Sequence, residues 1–381
     1  MRIAIVHDWL TTFAGSERVV RELLRMYPQA DLYTTIDFLS DRDREEFGGY
    51  RARTTFAQRL PGVRKHYQKY LPLLMLAVEQ IDVSGYDLVI SSSHAVGKGV
   101  ITGPDQVHVS YVHSPMRYAW DLQHQYLQEA GLERGLKSMM ARSMLHYARI
   151  WDTRTANGVD HFIANSSYIA RRIMKVYRRE ATVIHPPVDI EAFPLREDKE
   201  DFYLCAARMV PYKRVGVVVD AFALMPDKKL VVIGDGPEMP SIRARATRNV
   251  ELLGYVPRDV LRDCMQRARA FVFAAEEDFG ITLVEALACG TPVIAFERGG
   301  AGDIVSDADT GVFFGEPDPD AVRRAVELDS AIDVDSRAAR CRDRSMAFSI
   351  EHFRQSFDRL LLEKTIVQRS RNPDTTAMSR H

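Results

Sequence analysis

Cysteine is scarce, and its spacing is unpaired: Cys205, Cys264, Cys289 and Cys341 are the only four in 381 residues. That excludes a disulfide framework and fits a reducing compartment. Cys205 and Cys289 sit in apolar runs and read as small core residues. Long apolar runs are also missing. The longest candidate, Leu71 to Val78, stops at Glu79, far short of the ~18 residues a membrane span needs. The chain opens directly on a strand-like run, Arg2 to His7, with no leader pattern before it, so a cytoplasmic location is expected. A net charge of -1 gives no global pull toward nucleic acid. The three-glycine fingerprint of dinucleotide-binding turns is absent. Asp-x-Asp pairs occur at Asp41/Asp43, Asp307/Asp309, Asp318/Asp320 and Asp333/Asp335. None directly follows a buried strand, where such a pair would hold a divalent ion on a diphosphate, so no metal site is expected. Asp318-Pro-Asp320 reads instead as a helix start.

What is present is an alternation of short apolar runs with helical patterns. Strands are expected at Arg2–His7, Asp31–Ile36, Asp87–Ser91, Val107–His113, His161–Asn165 and Ala181–His185. In the second half they are expected at Phe202–Ala207, Lys229–Gly234, Val250–Leu253, Ala270–Ala274, Pro292–Phe296 and Gly311–Phe313. Helical patterns lie between them, including Ser16–Met26, Gly135–Thr155 and Val215–Met225. Continuous apolar strands separated by helices argue for parallel sheets covered on both faces. The break falls near His185-Pro-Pro-Val-Asp189, where two prolines stop a strand and a polar stretch, Leu195–Asp201, follows. A last helix is expected from Ile350 to about Lys364, with Phe353, Phe357, Leu360 and Leu361 on one face, and a polar, disordered tail after it.

Charge is unevenly divided, with a net +5 over the first 185 residues and -6 over the rest. Between Arg51 and Lys69 stand six basic residues and no acid. Two readings are open: a solvated face, or a surface that meets anionic lipid headgroups or a polyanionic acceptor.

The segment Ala270 to Phe296 carries the most chemistry. A strand runs into Glu276-Glu-Asp-Phe-Gly280, helical periodicity covers Ile281 to Cys289, and Gly290 stands at the cap. Glu277 then lies in a loop at a strand's carboxyl end and Glu285 one turn into the helix, where open α/β sheets bind ligands. The amides after Gly280 form an anion site. Carboxylates there suit ribose or hexose hydroxyls; the alternative is that they complement the helix dipole. In Ala206-Ala-Arg-Met-Val-Pro-Tyr-Lys-Arg214, Arg208 and Lys213 follow another strand, an arrangement that suits a diphosphate. Gly234-Asp235-Gly236 ends a buried strand in a tight turn that also admits close ligand approach. Near the N-terminus, Phe13-Ala-Gly-Ser-Glu17 reads as a glycine-bearing cradle at a helix start, with Ser16 equally a simple N-cap. His113 ends the strand Val107–His113, and it and Arg117 would face the cleft between the domains; a structural histidine is the other reading.

Together these segments resemble the retaining GT-B-fold glycosyltransferases of the family 4 type. The resemblance runs to about residue 365 and rests on Glu277, seven residues, Glu285 within EEDFGITLVEALACGTPVIA, with AARMVPYKR and VVIGDGPE in the family's order. It implies an α/β GT-B architecture: two Rossmann-like domains with parallel sheets facing across a cleft and a C-terminal helix crossing back. The implied boundaries are 1–187 for acceptor binding, 188–349 for the nucleotide sugar, 350–366 for the crossover helix and 367–381 for a disordered tail. It implies that Arg208 and Lys213 bind the diphosphate and that Glu277 holds hexose hydroxyls. Phe279, Gly280, Ile281 and Thr282 would offer amides, and Glu285 would bind the ribose. Gly234, Asp235, Gly236, Tyr255 and Val256 would line the nucleotide. Gly15 would approach the diphosphate, and His113 the donor sugar. Glu277, His113, Arg208 and Lys213 are the implied catalytic set, with no metal or other cofactor. Ala14 departs from the family, which usually has a first glycine there.

VHDWL and YVHSPMRYAWD look most like bacterial mannosyl- and deoxyhexosyltransferases of surface-polysaccharide and O-antigen assembly, which use GDP sugars. The implied reaction moves mannose or a 6-deoxymannose such as rhamnose from a GDP-sugar to a polyprenyl-diphosphate-linked saccharide. Peripheral contact with the anionic inner membrane would come through Arg51–Lys69 and Arg134–Arg154. The alternatives are a nucleotide-sugar epimerase on the same fold and a non-catalytic nucleotide-sugar-binding subunit.

Overall fold

Runs rich in Val, Ile, Leu and Phe set the strands, and each ends at a glycine, proline or polar cluster. The computed structural model describes residues 1–332 and 337–371, with backbone alone from 365. It divides into two compact units: Met1–Pro186 with the chain from Arg354 onward, and Pro187–Phe353.

The first unit holds β1 (Ile3–His7), β2 (Asp31–Thr34), β3 (Arg53–Thr54), β4 (Leu88–Ser93), β5 (Val107–Val112), β6 (His161–Ala164) and β7 (Ala181–Val183). They form one parallel sheet in the order β3-β2-β1-β4-β5-β6-β7. Every residue of β1, β4 and β5 is buried, so both faces are covered. β3 was not expected. It is two exposed residues at the sheet edge, with no apolar pattern to announce it.

The second unit holds β8 (Glu200–Ala206), β9 (Lys229–Ile233), β10 (Val250–Gly254), β11 (Ala268–Phe273), β12 (Val293–Phe296) and β13 (Gly311–Phe314). Its parallel sheet has the order β10-β9-β8-β11-β12-β13. Alternate residues feed two cores. Leu204, Phe271 and Phe273 pack on one face, and Tyr203, Cys205 and Val272 on the other. All four cysteines are free and buried.

Each sheet reverses its direction of growth once, between β1 and β4 in the first unit and between β8 and β11 in the second. Ligands of open α/β sheets collect at the carboxyl ends of strands at such points.

Helix ends follow local chemistry. Asp318 caps Pro319–Ser330 by accepting the Ala321 N–H at 3.1 Å, so the Asp318/Asp320 pair marks a helix start. Ser16 is not a cap. The helix Gly15–Met26 starts one residue earlier, with Ala14 at the cap position and Glu17 accepting the Ala14 N–H at 2.9 Å. The last helix, Ile350–Arg371, is longer than the expected 350–366. The stretch 367–371, expected to begin the tail, is helical, and residues 372–381 lie outside the described residues. Phe353, Phe357, Leu360 and Leu361 are buried as the spacing predicts. Arg354 Nε donates to Glu22 Oε1 at 2.7 Å, and the Tyr27 hydroxyl donates to Asp358 Oδ1 at 2.6 Å. Both bonds tie this helix to Gly15–Met26. No described helix is long and apolar enough to cross a membrane.

Candidate functional site

In the second unit, β8 runs into the loop Ala207–Val210 and a single turn, Pro211–Lys213. Arg214 takes a left-handed conformation (φ 53°) and starts the helix Val215–Ala223. Arg208 is exposed in this loop. Lys213 forms an ion pair with Glu277, each side chain about one-fifth exposed. The Lys213 ammonium also lies over the Phe273 ring, 5.7 Å from its centroid. The cation that follows β8 and the acid that follows β11 therefore meet at the sheet's switch point.

The loop after β8 is laced to the Gly234–Gly236 turn after β9. Ala207 N–H donates to Ile233 O at 3.1 Å, and Met209 N–H to Asp235 O at 2.9 Å. The approach is close enough to require glycine. Gly234 has φ 135°, and a Cβ there would overlap the Ala207 carbonyl, lying 2.9 Å from its carbon. Asp235 is exposed and caps its own turn, its Oδ1 accepting the Gly236 N–H at 2.7 Å. Gly234 N–H donates to Gly254 O at 2.8 Å, which brings the end of β10 alongside. Tyr255, 75% exposed, offers an open ring face there, whereas Val256 packs into the core.

Gly280 caps the helix Ile281–Ala288 in a left-handed conformation (φ 102°) and brings no side chain of its own to the helix N-terminus. Phe279 and Ile281 turn their side chains inward; Phe279 packs on Phe348 at 5.6 Å. These two residues can serve a ligand only through their backbone, and Thr282 is half-buried at the rim. Glu285 is 6% exposed on the first turns of this helix.

Two residues the sequence reading passed over hold the Glu277 loop in place. Gly300 N–H donates to Glu277 O at 2.8 Å. Gly299 (φ 95°) lies so close that a Cβ would be 3.0 Å from Glu277 N and overlap its carbonyl oxygen. Their signal in the sequence is Arg298-Gly-Gly300, just beyond β12.

The first unit gathers a second polar cluster at its own switch point. Asp8, just after β1, is fully buried. One of its oxygens accepts the His94 and Ala95 amides at 2.6 and 3.2 Å, and the other those of Val96 and Gly97 at 2.6 and 2.5 Å. His94 Nδ1 lies 2.8 Å from Asp8 Oδ2. Burial alone would raise the Asp8 carboxyl; His94 and the amide bonds outweigh it and hold Asp8 well below the usual carboxylate range. Burial likewise favours neutral His94, yet the Asp8 charge prevails and raises its pKa. The His94 side chain keeps 30% of its surface exposed.

His7 Nε2 sits 3.3 Å from Glu17 Oε1, and its Nδ1 is 3.1 Å from Ser92 O. His113 ends β5 beside this cluster. Its Nε2 shares a 2.8 Å hydrogen bond with Ser92 Oγ, and its carbonyl accepts from Asn165. Burial, with His94 and His7 nearby, pulls its pKa down to about 3. A neutral His113 near pH 7 is suited to hydrogen bonding. Arg117 is half-buried, and Gly15 opens the helix Gly15–Met26 on the same edge. Asp8 and His94 were missed because their partnership spans 86 residues, although each follows a strand.

The Asp-x-Asp pairs serve turns, caps and ion pairs. Asp43 bonds Ser40, Asp307 bonds Thr310 and Asp309 pairs with Arg340. Asp333 and Asp335 lie outside the described residues. Among the described residues no group of three His, Cys, Asp or Glu gathers as a metal site.

Comparison with known proteins bears on the family and the fold. Residues 188–344 match the family model described as "Glycosyl transferases group 1", and residues 13–192 match "Glycosyltransferase Family 4". The GDP-mannose-dependent alpha-(1-6)-phosphatidylinositol monomannoside mannosyltransferase of Mycolicibacterium smegmatis is 30% identical over 217 residues, 48% of this chain and 56% of that protein. The chain spans about half the length of the curated relatives it matches. Sucrose-phosphate synthase from Thermosynechococcus elongatus superposes with a TM-score of 0.72 at 17% identity, covering 96% of this chain and 100% of that one. Anabaena HepE, solved with UDP and glucose, superposes at 0.68 and 18% identity, covering 95% and 99%. At such identities the superpositions establish the fold.

Proposed function

We propose, for a chain that has the GT-B fold of the group 1 and family 4 glycosyltransferases, that it transfers a hexose from a nucleotide-diphosphate sugar to a hydroxyl with retention of configuration. The observation that carries this reading is the Lys213–Glu277 ion pair at the switch point of the second sheet. A cation and an acid converge there, with exposed Arg208 on the same loop as Lys213 and Glu285 on the helix that follows Glu277. In this reading Arg208 and Lys213 take the diphosphate, Glu277 the hexose hydroxyls and Glu285 the ribose. The open Tyr255 ring and the Gly234–Gly236 turn border the nucleotide. The amides following Gly280 face the sugar and phosphate.

Cleavage of the bond between the anomeric carbon and the phosphate oxygen leaves growing charge on the diphosphate. Arg208, Lys213 and the helix amides stabilise that charge. The acceptor oxygen forms its bond to the anomeric carbon on the same face, and its proton passes to the leaving phosphate oxygen. Two protein cations supply the positive charge in this scheme, so no metal ion is needed. The first unit binds the acceptor, with neutral His113 and the Asp8–His94 pair at its strand ends.

The donor reading is GDP-mannose or a GDP-6-deoxymannose such as GDP-rhamnose. The 30% identity to a protein named as GDP-mannose-dependent supports it. The acceptor reading is a polyprenyl-diphosphate-linked saccharide of surface-polysaccharide or O-antigen assembly, met at the cytoplasmic face of an anionic membrane. A thermal-shift panel of GDP- and UDP-sugars, followed by transfer assays with wild type and Glu277→Ala, tests the proposal. Stabilisation by one GDP-sugar and at least a hundredfold loss of transfer in a folded Glu277→Ala variant are expected. Conversion of the donor without acceptor would reassign the protein as an epimerase. Binding without transfer to any acceptor would make it a binding subunit.

A further inference from the structure

The helix Leu136–Ala156 belongs to the first unit and buries one of its faces there. Leu145, Ala148, Trp151, Asp152, Thr155 and Ala156 point inward. Trp151 Nε1 donates to Glu79 Oε1 at 2.7 Å, and Asp152 accepts from Trp120 Nε1 at 2.7 Å and pairs with buried Lys98. These contacts fix the helix about its axis and so determine what its outer face presents.

That outer face is apolar. Leu136, Met139, Met140, Met144, Tyr147 and Ile150 are 69, 59, 65, 36, 52 and 55% exposed. At 100° per residue they fall within an arc of roughly 140°, whose centre lies roughly 130° from that of the buried set, with Trp151 at its margin. Scattered exposed apolar residues are ordinary, but six on one helix face make a patch that needs an occupant.

The chemistry of the flanks identifies that occupant. Lys137 lies along one side of the stripe and Arg142 and His146 along the other. Asp152 is the only acid among the helix's residues, and it is buried. Beside the stripe lies a groove of about 590 Å³ whose lining includes Arg134, Arg142 and His146, with Glu133 its only acid. An apolar stripe bordered by cations, on a helix that exposes no acid of its own, suits an anionic bilayer. Methionine side chains adapt to fluid hydrocarbon, and Tyr147 suits the interface. The basic stretch Arg51–Lys69 lacks this organisation, because it is broken into the short turns Phe56–Arg59, Val63–His66 and Tyr67–Tyr70.

We propose that the helix Leu136–Ala156 lies flat in the headgroup layer of an anionic membrane, with the face from Leu136 to Ile150 sunk into the acyl boundary. This rests on the reading above that the protein meets its acceptor at a membrane, and it names the element that does so.

The test is co-sedimentation of the full chain with phosphatidylglycerol-containing and with purely zwitterionic vesicles, at low and high salt. The variants are L136S/M140S/I150S and, separately, R59Q/R64Q/K65Q/K69Q. Wild type is expected to bind anionic vesicles and to retain part of that binding at high salt. L136S/M140S/I150S is expected to lose at least tenfold in vesicle binding while its melting temperature and GDP-sugar binding are unchanged. Equal binding by this variant, with loss in R59Q/R64Q/K65Q/K69Q, overturns the assignment of the helix and leaves the membrane reading standing. If wild type binds no anionic vesicle, both fail. A wild-type dimer in sedimentation velocity that L136S/M140S/I150S dissociates would show that the face pairs with a second copy, and the proposal falls.

Discussion

Replacing Gly300 by alanine should impair turnover far more than donor binding. Gly300 has φ -79°, which alanine adopts without strain, so the substitution adds only a methyl group. That methyl would overlap the Phe279 Cα and lie 2.7 Å from both the Asp278 and Phe279 carbonyl oxygens, where ordinary contact begins near 3.4 Å. Both carbonyls belong to the loop that carries Glu277, and Gly300 N–H anchors the Glu277 carbonyl. The loop must therefore give by about 1 Å, and displacements of about 1 Å at a reacting centre cost on the order of 10²-fold in rate. Overpacking should also cost about 1–3 kcal/mol, a melting shift of several degrees in a protein of this size. The assay is the initial rate of hexose transfer with saturating donor, alongside GDP titration. Turnover should fall between tenfold and a hundredfold. GDP affinity should fall less, by no more than about tenfold, because the loop bearing Arg208 is not displaced, although Lys213 is paired with Glu277 on the shifted segment. A Gly300→Ala protein with the expected melting shift but turnover within twofold of wild type would refute the link between this glycine and Glu277.

The Asp8 carboxyl is held below its unfolded pKa, so its contribution to stability is present above pH ~4 and is lost as pH falls through that value toward the folded one. Asp8→Asn should be destabilised by about 3 kcal/mol at pH 7, and urea melts should show the gap to wild type narrowing steadily below pH ~4. Lys98→Met leaves Asp152 buried with Trp120 and Tyr177 as its hydrogen-bond donors among the described residues and should cost about 3–5 kcal/mol. Adding Asp152→Leu should restore part of this in thermal melts, and no restoration would mean that packing rather than charge dominates. Arg354→Ala takes from Glu22, 1% exposed, one of its salt-bridge partners and leaves Arg25. It should cost about 1–3 kcal/mol and speed proteolysis within the last helix, and an unchanged cleavage rate would contradict that role.

Much of this was readable from residue patterns, because α/β chains repeat a simple grammar of strand, loop and helix. Arg208, Lys213 and Glu277 were legible since each follows a continuous apolar run within a few residues, which sets them beyond strand ends, and Glu285 since helical periodicity places it in the helix that comes next. The helix Ile350–Arg371 was legible to Leu361 from its apolar spacing, but its end was not. Polar residues such as Gln368 and Arg369 have good helix propensity, and lack of a core-facing stripe does not stop a helix. β3 was illegible because two exposed residues carry no alternation. The Asp8–His94 bond was hidden because it joins ends of strands that become neighbours only in the folded sheet. Gly299 and Gly300 were hidden for a related reason: their need for glycine comes from the Glu277 backbone pressing on them, not from a turn of their own.

Calorimetric titration of GDP-mannose into wild type, Arg208→Ala/Lys213→Ala and Glu285→Ala most directly probes whether these cations and acids hold one nucleotide sugar. Wild type should bind with a stoichiometry of about one, and each variant should lose roughly tenfold to a hundredfold in affinity, as expected for charged hydrogen bonds. Undiminished binding in both folded variants, or no binding of GDP- or UDP-sugars by wild type, would contradict the account.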